Sequence, residues 1–338
     1  MSTDKKSGPA SGVTAIIPAL NAARFLPDCL AALASSQPSP DLIFVFDDGS
    51  EDDTAQSALG AATIIKNVAA PVGPGLARNR AAALARSELL LFVDADVVVH
   101  PEALCRLRAA LEEPGVVAAF GSYDDRPPGR GIPSQYANLR HHFTHQGSPP
   151  FASTFWAGLG MVRRDAFAAA GGFSAAYGRP SIEDIELGGR LIANGGLIRV
   201  VRDAKATHLK TWSLFQLWRT DILQRAVPWA RLIAEKRSSD GGLNGAPRER
   251  LAAVLANCTV IALLGALLLP VLLVAVVVMA FAYLTASAPF FRFLSKRMKP
   301  IPLLGAVLLH FLYHLYASQI LAWTIFWQRL RPSRRTKS

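Results

Sequence analysis

The chain carries two regimes of hydrophobic patterning. Over roughly its first 210 residues, short and wholly apolar runs alternate with amphipathic stretches. Val13–Pro18 reads as a buried strand stopped by its proline, and Asp41–Phe46 as a second one. Residues 22–35 place Phe25, Cys29, Leu30 and Leu33 on one side of a helix, broken by Pro38 and Pro40. Ala62–Lys66 fits a third strand. A Pro/Gly turn at 71–75 precedes a helix over 76–87, and Glu88–Asp94 is a further buried strand. Residues 121–150, rich in Gly, Pro and His, read as an irregular loop over a site. Beyond it the pattern predicts a strand at 156–162, a short helix at 164–170 and a helix at 183–194 closed by Gly195-Gly196. A last strand at 197–203 and a helical region at 211–234 complete this part. Apolar strands alternating with helices predict an α/β class with a mostly parallel open sheet flanked by helices. Ligands on such sheets gather beyond the carboxyl ends of the strands.

The second regime begins at Leu251. Residues 251–291 contain no Asp, Glu, Lys or Arg, and neither does 300–328. Each exceeds the about 20 residues that cross a bilayer. Pro270 divides the first stretch, which predicts spans at 251–269, 271–291 and 301–327 within a transmembrane helical region at 251–328. A disordered lead at 1–11, a main domain at 12–235, a polar linker at 236–250 and a basic tail at 329–338 complete the expected organisation. Of the net charge of +11, nine units lie in 251–338, which holds no acid, so residues 1–250 carry only +2. The bases flank the apolar segments, which points to anionic lipid and argues against nucleic acid as a partner. Cys29, Cys105 and Cys258 form no CxxC and suit a reducing compartment. The expected location is therefore a cell membrane, multi-pass, with the main domain cytoplasmic. Basic residues at both ends of 301–327 leave open an interfacial or re-entrant helix there.

Several acids stand where chemistry would need them. Asp94-Ala95-Asp96 follows an apolar strand, and two such carboxylates can share a divalent cation; a solvated strand end would look the same. Asp47-Asp48-Gly49-Ser50 follows another strand and suits either a ribose contact or an ordinary turn. Gly73-Pro74-Gly75 with Arg78 departs from a dinucleotide loop, because arginine replaces the third glycine. A helix start beside Arg78 still suits an anion. Glu183-Asp184 opens a helix, as dipole-favoured acids do, and could equally supply a general base. Arg225 and Trp229 could serve a phosphate and a sugar or lipid face.

IIPALN (16–21), VFDDGSEDDT (45–54), GPGLARNRA (73–81), LLLFVDAD (89–96), GGF (171–173) and SIEDIELGGRL (181–191) occur in the order found in family 2 glycosyltransferases. The resemblance covers roughly residues 12–230. It implies a GT-A fold and an inverting transfer from a UDP- or GDP-sugar, with Mn²⁺ or Mg²⁺ as cofactor. Pro18, Ala19 and Asn21 would border the nucleotide, Asp47 or Asp48 would contact the base and ribose, and Arg78 would lie near the phosphates. Asp94 would lean toward ribose or sugar, Asp96 and His208 toward the metal. Asp184 matches the family's catalytic base, with Glu183 beside it. The Gln224–Trp229 run departs from the family's QxxRW pattern, which argues against a processive polysaccharide synthase.

A membrane anchor favours a lipid or lipid-linked acceptor; a polysaccharide acceptor and a non-catalytic nucleotide-sugar-binding scaffold are the alternatives. A sugar-phosphate nucleotidyltransferase would show a Gly-rich basic loop where PALNAAR stands (18–24).

Overall fold

The computed structural model describes residues 10–67, 70–234 and 247–330. Most of the expected lead, much of the linker and most of the basic tail lie outside the described residues. Of the linker, residues 247–250 open a helix. The chain divides into two compact units, residues 1–128 with 144–210, and residues 129–143 with 211–338.

The first unit is an eight-stranded sheet. Its strands are β1 (Ala10–Ala19), β2 (Leu42–Asp47), β3 (Thr63–Lys66), β4 (Ser87–Val93), β5 (Val97–Val99), β6 (Val116–Tyr123), β7 (Leu159–Arg163) and β8 (Leu197–His208). They lie in the order β3-β2-β1-β4-β7-β6-β8-β5. The apolar runs form a parallel block β3-β2-β1-β4, in which β1, β4 and the end of β2 are buried while β3 is a partly exposed edge. Beyond β4 the sheet is mixed, with β6 and β8 parallel. β7 runs antiparallel to both β4 and β6, and β5 runs antiparallel to β8. Strand direction there depends on which end the chain re-enters from, which a short apolar run does not encode.

In the parallel block Ala19 pairs with Asp47 and Ile16 with Phe92, so the ends of β1, β2 and β4 line up. This alignment brings Pro18, Asp47 and Asp94 to one edge of the sheet. At the other side Val97 pairs with His208, which sets Asp96 beside the end of β8.

The second unit is helical. Residues 132–147, expected as a loop, form a helix. Tyr136 and Leu139 lie one turn apart and pack with Phe290, Leu294 and Leu309. Ile132, Tyr136, Leu139 and Phe143 recur at i, i+4, i+7 and i+11, a helical stripe that the Gly, Pro and His residues around it conceal. Asp221, in a π-helical segment over Thr220–Ala226, is buried and takes Arg140 at 2.8 Å, Arg225 at 3.1 Å and the Tyr316 hydroxyl at 2.9 Å. Burial opposes its charge, but the two guanidinium groups hold its carboxyl below the usual range.

The apolar region differs from three simple spans. Among the described residues one helix, Pro300–Gln328, is by itself long and apolar enough to cross a bilayer. Helix Pro247–Gly265 carries Arg248, Glu249 and Arg250 in its first turn and stops short of 269. Helix Leu272–Ala286 has 15 residues; at 1.5 Å per residue it reaches about 22 Å, less than the hydrocarbon thickness. It qualifies only together with Ala288–Ser295, from which it is bent by 65°. The turn between the first two helices exposes Leu267, Leu268 and Val271 at 80, 85 and 73%.

Candidate active site

Arg78 sits at the centre of the first unit's polar cluster. It lies on helix Pro74–Ala82 and is 4% exposed. One terminal nitrogen is 2.5 Å from Asp94 Oδ1 at the end of β4. The other is 3.4 Å from Glu183 Oε1, at the start of helix Glu183–Ala193. The Phe173 ring lies 5.4 Å from the guanidinium carbon, which adds a cation–π contact. The neighbouring Asn79 accepts from the Phe173 N–H at 2.8 Å and donates to its carbonyl at 2.7 Å. Three sequence motifs, GPGLARNRA, DAD and GGF, are thus tied together by two adjacent side chains.

Glu183 and Asp184 are both anchored by backbone N–H groups, and Asp184 Oδ1 accepts from the Ile185 N–H at 2.8 Å. Glu183 is buried, and its second oxygen accepts from the Ser181 N–H at 2.8 Å. Asp184 Oδ2 accepts from the Ala157 N–H at 3.1 Å. Burial and then the charge of Glu183 push the Asp184 carboxyl up to about 7, against the opposing pull of Ala157 and Arg78. Gly188, one turn further along, is what lets this helix approach the 154–157 segment. A Cβ there would stand 2.3 Å from the Phe155 nitrogen.

Asp96 faces His208, with Oδ2 3.4 Å from Nε2. Burial opposes the Asp96 charge, but His208 and then Lys210 outweigh it and hold the carboxyl below its usual range. Asp94 responds in the other direction. Burial raises it, Arg78 opposes the rise, and the Asp96 charge adds to it. Tyr123 stacks on the His208 ring, with centroids 4.4 Å apart and planes 5° from parallel, and Trp156 closes edge-on against Tyr123. The pair fits a divalent cation: a carboxylate and an imidazole converge, one side chain 22% and the other 10% exposed, and the second carboxylate of DAD stands two residues away. Tyr123 and Gly188 were missed in the sequence. Their partners lie across the sheet or on another segment, and nothing local marks them.

The remaining sequence candidates divide. Asn21 has a left-handed φ of 52° and is locked to the next loop, its N–H donating to Ser50 Oγ and its side chain accepting from the Glu51 N–H. Asp47 accepts from the Ser50 N–H. Asp48 is saturated by Asn67 Nδ2 and the N–H groups of Val72 and Gly73, all at 2.8–3.0 Å, so it fastens the loop before helix Pro74–Ala82. Ala19, beside them, accepts from the Asp48 N–H. Arg225 and Trp229 belong to the second unit, where Arg225 is paired with Asp221.

Three known proteins or families resemble parts of this chain. A protein of Mesorhizobium japonicum described as an N-acetylglucosaminyltransferase is 36% identical over 129 residues, covering 36% of this chain and 30% of the relative. The chain therefore spans under a third of that relative's length. A mannosyltransferase of Pyrobaculum calidifontis, solved in complex with GDP-Man and Mn²⁺, superposes with a TM-score of 0.55 at 16% identity, over 95% of this chain and 90% of that one. At that identity the likeness concerns the GT-A fold alone. Residues 14–171 match the profile of Glycosyl transferase family 2, a segment that includes Asp47, Asp48, Arg78, Asp94 and Asp96. That segment, somewhat under half of the chain, is similar to glycosyl transferase family 2.

Proposed function

We propose that the protein is an inverting glycosyltransferase that moves a sugar from a nucleotide-sugar, a UDP- or GDP-sugar, to an acceptor held at a membrane. The observation that carries this reading is the double ion pair of Arg78, which ties the DAD strand end to the Glu183-Asp184 helix start. Asp184 is the base. Its carboxylate takes the proton of the acceptor hydroxyl as the acceptor oxygen bonds to the anomeric carbon. The bond from that carbon to the diphosphate breaks on the opposite face, so one displacement inverts configuration. A carboxyl poised near 7 is matched to this task, because it is ionised about half the time at neutral pH and still basic.

Glu183 and Arg78 position the two sides of the site, and Asn21, Asp47 and Asp48 shape the nucleotide-facing edge beside Pro18 and Ala19. Asp94 faces the ribose or sugar. Asp96 and His208 would hold Mn²⁺ or Mg²⁺, which when bound supplies positive charge against the leaving diphosphate. Arg225 and Trp229 are assigned to donor contacts on a run that only loosely resembles the family's pattern.

The apolar turn at 267–271 and helix Pro300–Gln328 support membrane attachment, and with it a lipid or lipid-linked acceptor. The test is incubation of detergent-solubilised protein with a panel of nucleotide-sugars, Mn²⁺ and extracted lipids, read by mass spectrometry. A sugar-labelled lipid formed by the wild type and absent with Asp184→Asn is expected. Transfer from no donor, or transfer undiminished in that variant, would sink the reading.

A further inference from the structure

A second cluster of metal-ligating side chains lies in the helical unit, separate in chemistry from the DAD site. His310 and His314 are four residues apart on helix Pro300–Leu330 and therefore share a face. They are 2% and 3% exposed. Glu249, from the first turn of helix Pro247–Gly265, meets them. One ligating atom from each of the three residues falls within 4.8 Å of the other two.

The surroundings of the two rings are alike. The Tyr136 hydroxyl is 3.1 Å from His310 Nδ1, and the Tyr283 hydroxyl is 3.3 Å from His314 Nδ1. Each phenol oxygen can accept from Nδ1–H, which holds the ring and leaves Nε2 with its lone pair. Metal-ligating histidines are oriented in this way by a partner on the other nitrogen. His314 Nε2 lies 3.1 Å from Glu249 Oε2. His310 Nε2 is buried without any hydrogen-bond partner. A buried nitrogen with nothing to bond is costly, and hydrogen bonding between helices alone would not leave it so.

We propose that Glu249, His310 and His314 bind a divalent ion of the Zn²⁺ class, which staples helix Pro247–Gly265 to helix Pro300–Leu330. Two imidazoles and one carboxylate favour zinc or cobalt over magnesium or calcium. Three protein ligands leave the fourth tetrahedral position to water. On binding, the proton that His314 Nε2 shares with Glu249 is released to solvent and both atoms turn to the ion. His310 Nε2 gains its missing partner.

The experiment uses the full chain in detergent, stripped with a chelator and titrated with Co²⁺. Visible d–d absorption reports tetrahedral coordination. The expected result is saturation at one equivalent, unchanged in Asp96→Asn and lost in His310→Ala and His314→Ala. Zn²⁺ should then bleach the band and raise the wild-type unfolding temperature by about 5 °C. Absence of a tetrahedral band in the wild type, or its loss in Asp96→Asn with retention in the histidine variants, overturns the proposal. If the histidine variants do not fold, Glu249→Gln decides, because it keeps an acceptor for His314. Co²⁺ affinity must fall by about tenfold or more in that variant, and unchanged affinity refutes the site.

Discussion

The ion pair between Arg78 and Asp94, 2.5 Å long and with the arginine almost wholly buried, joins a helix to a strand end. The same guanidinium reaches Glu183. Arg78 thereby acts as a brace between carboxylates in this structure. Its removal leaves two partly buried acids unpaired. Arg78→Ala should lower kcat/KM by about a hundredfold or more. Arg78→Lys should recover little, because an ammonium lacks the planar fork that serves two carboxylates. Steady-state kinetics on both variants checks this, and near-wild-type activity in Arg78→Lys would remove the bracing role.

The proposed role of Asp184 as base predicts a pH dependence of transfer. Its carboxyl is pushed up to about 7, and only the ionised form can accept a proton. Transfer should therefore fall about tenfold per pH unit below that value and level off above it. Glu183→Gln removes the nearest negative charge, so the limb should move to lower pH even as overall activity drops. Stability runs the other way. A carboxyl raised in the folded state favours folding at low pH, and this contribution is lost as pH rises through about 7. Asp184→Asn should cut turnover by about a thousandfold while melting no lower than the wild type at pH 8, measured by thermal unfolding.

Asp96 and His208 should be separable from the base by their response to metal. EDTA should abolish transfer and Mn²⁺ restore it. His208→Ala should raise the Mn²⁺ concentration for half-maximal activity by about ten- to a hundredfold, with a pH limb like that of the wild type. A metal titration of initial rates distinguishes this from loss of the base.

Gly188 gives a prediction with no polar group involved. Gly188→Ala forces a methyl group toward the Phe155 nitrogen, at a cost of about 1–3 kcal/mol. The helix must move, and Asp184 with it, away from the Ala157 N–H. Turnover should fall about tenfold or more, with little change in donor KM. A fall in donor affinity at constant turnover would contradict the account.

Part of this protein was determined by sequence alone. A fully apolar run as short as Leu89–Val93, bounded by polar residues, fits a buried strand, and the acids directly behind it then stand at the strand end. Charge-free stretches mark apolar helices for the same local reason. Tertiary structure decided the rest. Arg78 meets Glu183 across 105 residues, and Asp96 meets His208 through the pairing of β5 with β8. The antiparallel pairing of β7 with β4 and β6 follows from the end at which the chain re-enters the sheet. The short legs around Pro270, and the convergence of Glu249 with His310 and His314, depend on how helices of fixed pitch pack. Local patterning reports what a residue can bury, and only the closed fold reports which distant residue it is buried against.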